Sequence, residues 1–315
     1  MREYILELSG QDKRENVAAS VQDLVEEIME QSVSRLLEQT GVRHLGLAGG
    51  LFSNVKLNRR LAETQALDEV FIVPPMGDEG LVIGGALKFL LARDGLDRWL
   101  ENRHRLDHVY WGRDQVRAPE PNAGALPDIK KISEDTASEA ARLLDQGKIV
   151  ALFVGSMEFG PRALGARSIL ARATDRGIND TLNQRLERTE FMPFAPVVAD
   201  EDAADIFEIS PLNRYACRFM TITCGVRETW REKIPAVVHV DNTARPQIIE
   251  PGANPLYFQI LAAYKNLSGI PVLINTSFNA HEEPIINTLA EAHRALLDGR
   301  VDFLATADGI YAPAD

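Results

Sequence analysis

A chain of 315 residues, 45% hydrophobic and 25% charged, is long enough for two domains and excludes a disordered, collagen-like or disulfide-scaffold protein. With 46 acidic against 34 basic side chains its formal charge is -12, which argues against nucleic acid as the main partner. Cys217 and Cys224 are too few for a secreted disulfide framework and point to a reducing cytoplasm; no apolar run approaches the roughly 20 residues of a membrane span, and MREYILELSGQDKREN carries no signal-peptide pattern.

From Asn16 to Gln39, Val17, Val21, Leu24, Val25, Ile28, Val33 and Leu36 recur at three- and four-residue steps, predicting a helix that Gly41 closes. HLGLAGG reads as a short strand running into glycines. VKLNRRLAET then reads as helix, VFIVPP as a strand stopped by Pro74, and LVIGGALKFLLA as helix again. Alternation of this kind predicts an α/β layer. Between Glu101 and Leu126 the pattern dissolves around Pro119 and Pro121, which places a linker at residues 113–127 between domains 1–112 and 128–315. Beyond it, Thr136 and Glu139 have the spacing of a capping box before a helix. KIVALFVG, FMTITCGV, AVVHV and PVLINTS are strand candidates, and Pro255 to Leu267 and Ala290 to Asp298 are helix candidates.

Four polar segments could carry chemistry. In LAGGLFSNVKLN, Gly49 and Gly50 allow backbone amides to approach a phosphate, with Asn54 opening the next helix; the alternative is a tight turn. In PPMGDEG, Asp78 is suited either to a hard metal ion or to stabilising its own turn. GSMEFGPRALGARSIL sets Arg162, Arg167 and Ser168 after a Gly-Pro bend with a single carboxylate, Glu158, so phosphate-binding guanidiniums compete with solvated or ion-paired ones. The last set comprises Arg188 in RLERTEFMPFAP, Thr243 and Arg245 in HVDNTAR, and Asn275, Thr276 and Ser277 in NTSFN, partly turn-forming residues. Cys217 and Cys224 read as buried small residues, and His104 and His108 as part of a solvated segment. No Gly-x-Ser-x-Gly elbow, P-loop or GxGxxG fingerprint occurs.

MEFGPRALGARSIL, RTEFMPFAP, HVDNTARPQ and NTSFNAHEEPI, in that order, resemble the O-carbamoyltransferases of the nodulation and antibiotic-tailoring type. The resemblance implies an α/β protein in which residues 10 to 95 are similar to the second half of an actin-like, Kae1-like domain, and residues from about 125 onward to a YrdC-like domain. It implies that the YrdC-like domain makes carbamoyl adenylate from ATP and carbamoyl phosphate, and that the Kae1-like domain passes the carbamoyl group to a hydroxyl of a small-molecule acceptor with a metal ion, usually iron, assisting. By position, Gly49, Gly50 and Asn54 would contact nucleotide, as would Thr243, Asn275, Thr276 and Ser277. Asp78 would bind metal, and Arg162, Arg167, Ser168, Arg188 and Arg245 would hold the phosphates; which arginine meets which phosphate stays open. Mg would accompany ATP. Iron would need a partner to supply histidines, because the family's His-x-x-x-His half has no counterpart in these residues. A homo-oligomer, or a hetero-oligomer with an N-terminal half-domain protein, is therefore expected. Departures from the family pattern are Leu186, Thr189 and Met192 in place of a lysine, a glutamate and an arginine, and Glu282 in place of a glycine. They motivate an alternative, a non-catalytic or regulatory nucleotide-binding subunit of the same family.

Overall fold

A computed structural model of the chain describes residues 13–64, 67–113, 128–188 and 194–314, with Glu7 and Gly10. The linker residues 114–127, and with them Pro119 and Pro121, lie outside the described residues, as do Thr189 and Met192.

The N-terminal layer follows the sequence closely. Helix α1 (Arg14–Thr40) ends at Gly41, whose φ of 66 lets its N–H return to the Leu37 carbonyl. Strand β1 (His44–Leu47), helix α2 (Val55–Thr64), strand β2 (Glu69–Ile72) and helix α3 (Gly80–Glu101) come next. β1 and β2 pair in parallel, as a β-α-β connection requires. No described helix is long and apolar enough to cross a membrane.

The C-terminal part is a mixed eight-stranded sheet ordered β3-β12-β11-β4-β5-β10-β6-β9. In chain order its strands are β3 (Ile129–Ser133), β4 (Val150–Phe153), β5 (Arg167–Arg172), β6 (Ala195–Ala199), β9 (Gln247–Ile249), β10 (Val272–Ser277), β11 (Phe303–Thr306) and β12 (Gly309–Pro313). Period-2 alternation splits the strands between two cores. Val150, Leu152, Leu170 and Leu273 face helices α4 (Thr136–Asp145) and α9 (Pro255–Ser268), with Leu144, Tyr257 and Ile260 among the contacts. Ile149, Ala151, Ile169 and Ile274 face the other way. That second core takes in α5 (Gly177–Arg185) through Ile178 and Leu182, α6 (Asp200–Ile206) through Ile206, α7 (Pro211–Cys217) through Cys217, and α10 (Leu289–Leu297) through Leu296. It continues without a break into Leu57, Leu61, Val70 and Ile72 of the N-terminal layer. Phe71 stacks on Tyr215 with ring centres 5.1 Å apart, and Asn58 Nδ2 donates to the Thr221 carbonyl at 2.7 Å.

The structure departs from the sequence reading at three places. Asp135, not Thr136, caps α4: its side chain accepts from the Ser138 amide at 3.1 Å, while buried Thr136 donates to the Thr306 carbonyl. Within FMTITCGV only β7 (Cys224–Gly225) is strand, paired with β8 (Thr243–Ala244); Met220 has φ 55, and the Thr221 hydroxyl bonds back to Ala216, so burial there comes from turns. AVVHV contributes a 3-10 turn, Pro235–Val237, following the single helical turn α8 (Glu228–Arg231), because Pro235 fixes φ and lacks the N–H that a ladder needs.

Candidate functional site

The register of the large sheet decides where its chemistry sits. Phe153 lies opposite Arg167, Ser168 opposite Ser277, Asn275 opposite Ala195, and Val197 opposite Gln247. Four connections therefore emerge at one end: residues 154–166, the segment leading into β6, residues 241–246, and residues 278–288.

Segment 154–166 is held by buried Glu158, whose Oε1 accepts from the amides of Leu164 at 2.6 Å and Ala166 at 2.8 Å. Burial raises the pKa of this carboxyl, and the two amides oppose the rise. Asn275 Nδ2 donates to the Ala163 carbonyl, Tyr110 and Gln247 both donate to that of Leu164, and Asn254 Nδ2 donates to that of Gly165. Gly165 has φ 116, and a Cβ there would overlap the Tyr257 ring, so this corner needs glycine.

The segment so fixed presents Arg162 to a cavity of about 420 Å³, where Arg188, Arg245, Asn275, Thr276 and Ser277 meet it. Arg188 is locked in place. Its Nη1 donates to Thr276 Oγ1 at 2.7 Å, its Nη2 reaches Ser277 Oγ at 3.2 Å and Asn279 Oδ1 at 3.2 Å, and its guanidinium lies 5.9 Å from the Phe194 ring centre. Arg162 and Arg245 differ: among the described residues neither has a carboxylate partner, and buried Arg162 Nε has no hydrogen-bond partner. Burial lowers the pKa of both, Arg245 down to about 9 with Arg162 pushing the same way. Two desolvated cations side by side are costly alone and are relieved by a polyanion.

The other expected residues lie elsewhere. Arg167 is fully buried over the Phe153 ring, 3.8 Å from its centre, and donates to the carbonyls of Val154, Gly155 and Ala166. Ser168 Oγ accepts from the Gly165 amide at 2.9 Å. Both brace the segment and do not line the cavity. Thr243 closes its own turn, donating to Asp241 Oδ1 at 2.7 Å and meeting His239 Nδ1 at 2.9 Å. Gly49 precedes and Gly50 opens a 3-10 turn (Gly50–Ser53) in the N-terminal layer, and Asn54 Oδ1 caps α2 by accepting from the Leu57 amide. Asp78 is exposed in its turn, and no group of three His, Cys, Asp or Glu side chains comes together among the described residues. These residues therefore do not fit a metal centre. Leu186, where a lysine was expected, is fully buried in the core.

Asn183, Phe194, Met220 and His281 also line the cavity and were not singled out by the sequence, whereas Asn279 of NTSFN and Glu282, the residue in place of a glycine, line it as well. Asn279 and His281 carried a signal, standing in or just after NTSFN; Asn183 sits within α5, where no motif marks it.

The family model for the carbamoyltransferase C-terminus matches residues 141–312, more than half of the chain, and that for the carbamoyltransferase N-terminus matches residues 3–87. The chain belongs to the carbamoyltransferase family. Among its relatives, nodulation protein NolO of Bradyrhizobium diazoefficiens is 37% identical over 92% of this chain and 53% of its own. Nodulation protein NolNO of Sinorhizobium fredii is 36% identical over 93% of this chain and 43% of its own. The chain thus spans about half the length of the curated relatives it matches. A solved structure of HypF from T.kodakarensis overlaps 56% of this chain and 22% of its own, with a TM-score of 0.40 and 18% identity.

Proposed function

We propose that the arginine cavity binds carbamoyl phosphate and the magnesium complex of ATP: water cleaves carbamoyl phosphate to carbamate and phosphate, and the carbamate oxygen attacks the α-phosphorus of ATP, forming carbamoyl adenylate and releasing pyrophosphate. The carbamoyl group then passes to a hydroxyl of a small-molecule acceptor. The observation that carries this reading is the pair Arg162 and Arg245, half-buried in one cavity and without a carboxylate partner among the described residues. A mixed anhydride develops charge on phosphoryl oxygens, and guanidiniums fixed in advance stabilise that charge with little reorganisation. Arg188, tied to β10 through Thr276 and Ser277, supplies a third fixed cation. In this reading residues 128–315 activate the carbamoyl group, 113–127 link, and 1–112 serve transfer. The apolar residues exposed on α1 and α3, including Leu24, Ile28, Leu81 and Phe89, support association with a second copy or with a half-domain partner.

The experiment is pyrophosphate release from ATP on addition of carbamoyl phosphate, on a preparation whose oligomeric state is read by light scattering. Arg162→Ala is expected to lower the rate by about 100-fold or more. Wild-type protein that shows no such release, alone or with a candidate partner, rejects the enzyme. Leu186, buried in place of a cation, favours a second reading, a nucleotide-binding subunit without turnover. Calorimetric ATP binding in an inert preparation selects that reading.

A further inference from the structure

We propose that Asn275 reads the amino group of the carbamoyl donor, so that the cavity selects an acyl phosphate carrying an N–H over its methyl isostere. This rests on the reading of the cavity as a carbamoyl phosphate site and adds what recognises the acyl end.

The orientation of the Asn275 amide follows from a chain of bonds that begins at a backbone carbonyl, which can only accept. The Leu164 carbonyl takes Gln247 Nε2 at 2.7 Å, which leaves Gln247 Oε1 as the acceptor facing Asn275. Asn275 must therefore present Nδ2, which donates to Gln247 Oε1 at 2.7 Å and to the Ala163 carbonyl at 3.0 Å. Both of its N–H groups are used. Its Oδ1 remains, in a residue only 2% exposed that lines the cavity, with no hydrogen-bond partner among the described residues. A buried acceptor left unmade is costly, and flipping the amide would set it against two other acceptors. The network thus leaves one unpaired acceptor on a residue that lines a pocket otherwise dominated by donors.

Phosphate oxygens cannot satisfy that acceptor, because they are acceptors themselves and belong with Arg162, Arg188 and Arg245. In carbamoyl phosphate the amino group is the one N–H donor. Acetyl phosphate, with a methyl group there, has the same size and charge but leaves Asn275 Oδ1 unpaired, and sites built to bond an N–H discriminate strongly against analogues lacking it.

The test is calorimetric titration of the full chain with carbamoyl phosphate, acetyl phosphate and inorganic phosphate, for wild type and Asn275→Leu. The expected result is that wild type prefers carbamoyl over acetyl phosphate by about tenfold to a hundredfold and that the variant prefers neither. A purely structural role for Asn275, through its bonds to Ala163 and Gln247, would weaken all three ligands together and leave the ratio unchanged, which overturns the proposal. Equal binding of the two acyl phosphates to wild type overturns it without any variant, while the phosphate site stands. Binding of none of the three ligands removes the reading of the cavity itself, and the proposal with it. A variant that changes the preference for ATP over GTP while keeping the carbamoyl-to-acetyl ratio assigns Oδ1 to the adenine amino group instead, and the proposal falls.

Discussion

Helices α3 and α9 are both apolar along most of their length, and their fates differ. α9 buries Tyr257, Ile260, Leu261 and Tyr264 between the sheet and α4. α3 buries no residue: Leu81 is 71% exposed, Val82 73% and Phe89 62%. Beneath it lies an apolar cavity of about 670 Å³ walled by Phe71, Ile83, Leu87, Leu90, Trp99 and Trp111. A helix apolar on every side is a helix that expects cover, and hydrophobicity does not say which surface provides it. The C-terminal sheet supplies its own cover and can hold side chains in costly arrangements at its loop end. The N-terminal layer is packed on one side, through Leu57, Leu61, Val70 and Ile72, and open on the other.

Glycine separates the two regions most sharply. Gly165→Ala places a methyl group in the Tyr257 ring at a backbone φ of 116, combining overpacking with conformational strain. The expected cost is about 3 kcal/mol in denaturant unfolding. Gly84→Ala on α3 meets nothing within 4 Å and restricts the unfolded chain, so a gain of about 0.5–1 kcal/mol is expected. Equal effects at the two positions would remove the contrast.

Between these extremes stands a trade of stability for binding. Burial, with Arg162 alongside, pushes the Arg245 guanidinium's pKa down to about 9 from the ordinary arginine value. The folded chain therefore holds this proton less tightly than the unfolded chain, and between these two values stability rises with pH. Below about 9 the full penalty applies, including at neutral pH. Arg245→Met is expected to stabilise the ligand-free protein by about 1–2 kcal/mol at pH 7, while abolishing the rise in melting temperature that phosphate gives wild type. A variant less stable than wild type would mean that Arg245 is held by contacts worth more than its desolvation.

How much of this was legible in the sequence differs between fold and site. The alternation of α1, β1, α2 and β2 and the helices α9 and α10 could be read because each carries a clean period and a glycine or proline stop. Strands β5 and β6 were not announced: the short apolar run of β5 lies between Arg167 and Arg172, and β6 carries Pro196, whereas the equally buried β4 has a longer uninterrupted apolar run. Composition alone could point to Arg162, Arg188 and Arg245, but it could not separate them from Arg167, which is one strand residue inside the loop and spends its guanidinium on three carbonyls. That distinction depends on which backbone groups a turn leaves unpaired. Asn275 and Ser277 were legible as polar residues ending a strand; the free acceptor on one and the bond to Arg188 on the other exist only once the sheet is assembled.

Glu282 joins both themes, because it stands where the family pattern has glycine and lines the arginine cavity. Its φ of 60 is left-handed, costing about 1 kcal/mol for a residue with a Cβ. Its side chain is 87% exposed at the cavity mouth, so its charge acts through water and weakly. Glu282→Gly removes strain and charge together, but it also frees the unfolded chain, so the net gain in stability is expected to be no more than about 0.5 kcal/mol. Glu282→Gln keeps the strained backbone and removes only the charge. Phosphate affinity should rise by about twofold in both variants, and the rise should vanish in high salt, because an exposed carboxylate repels an anion only across screened solvent. A rise confined to the glycine variant would assign the effect to loop conformation. Residues 278–288 would then have to move when the anion enters, and Arg188, bonded to Asn279 in the same loop, would move with them.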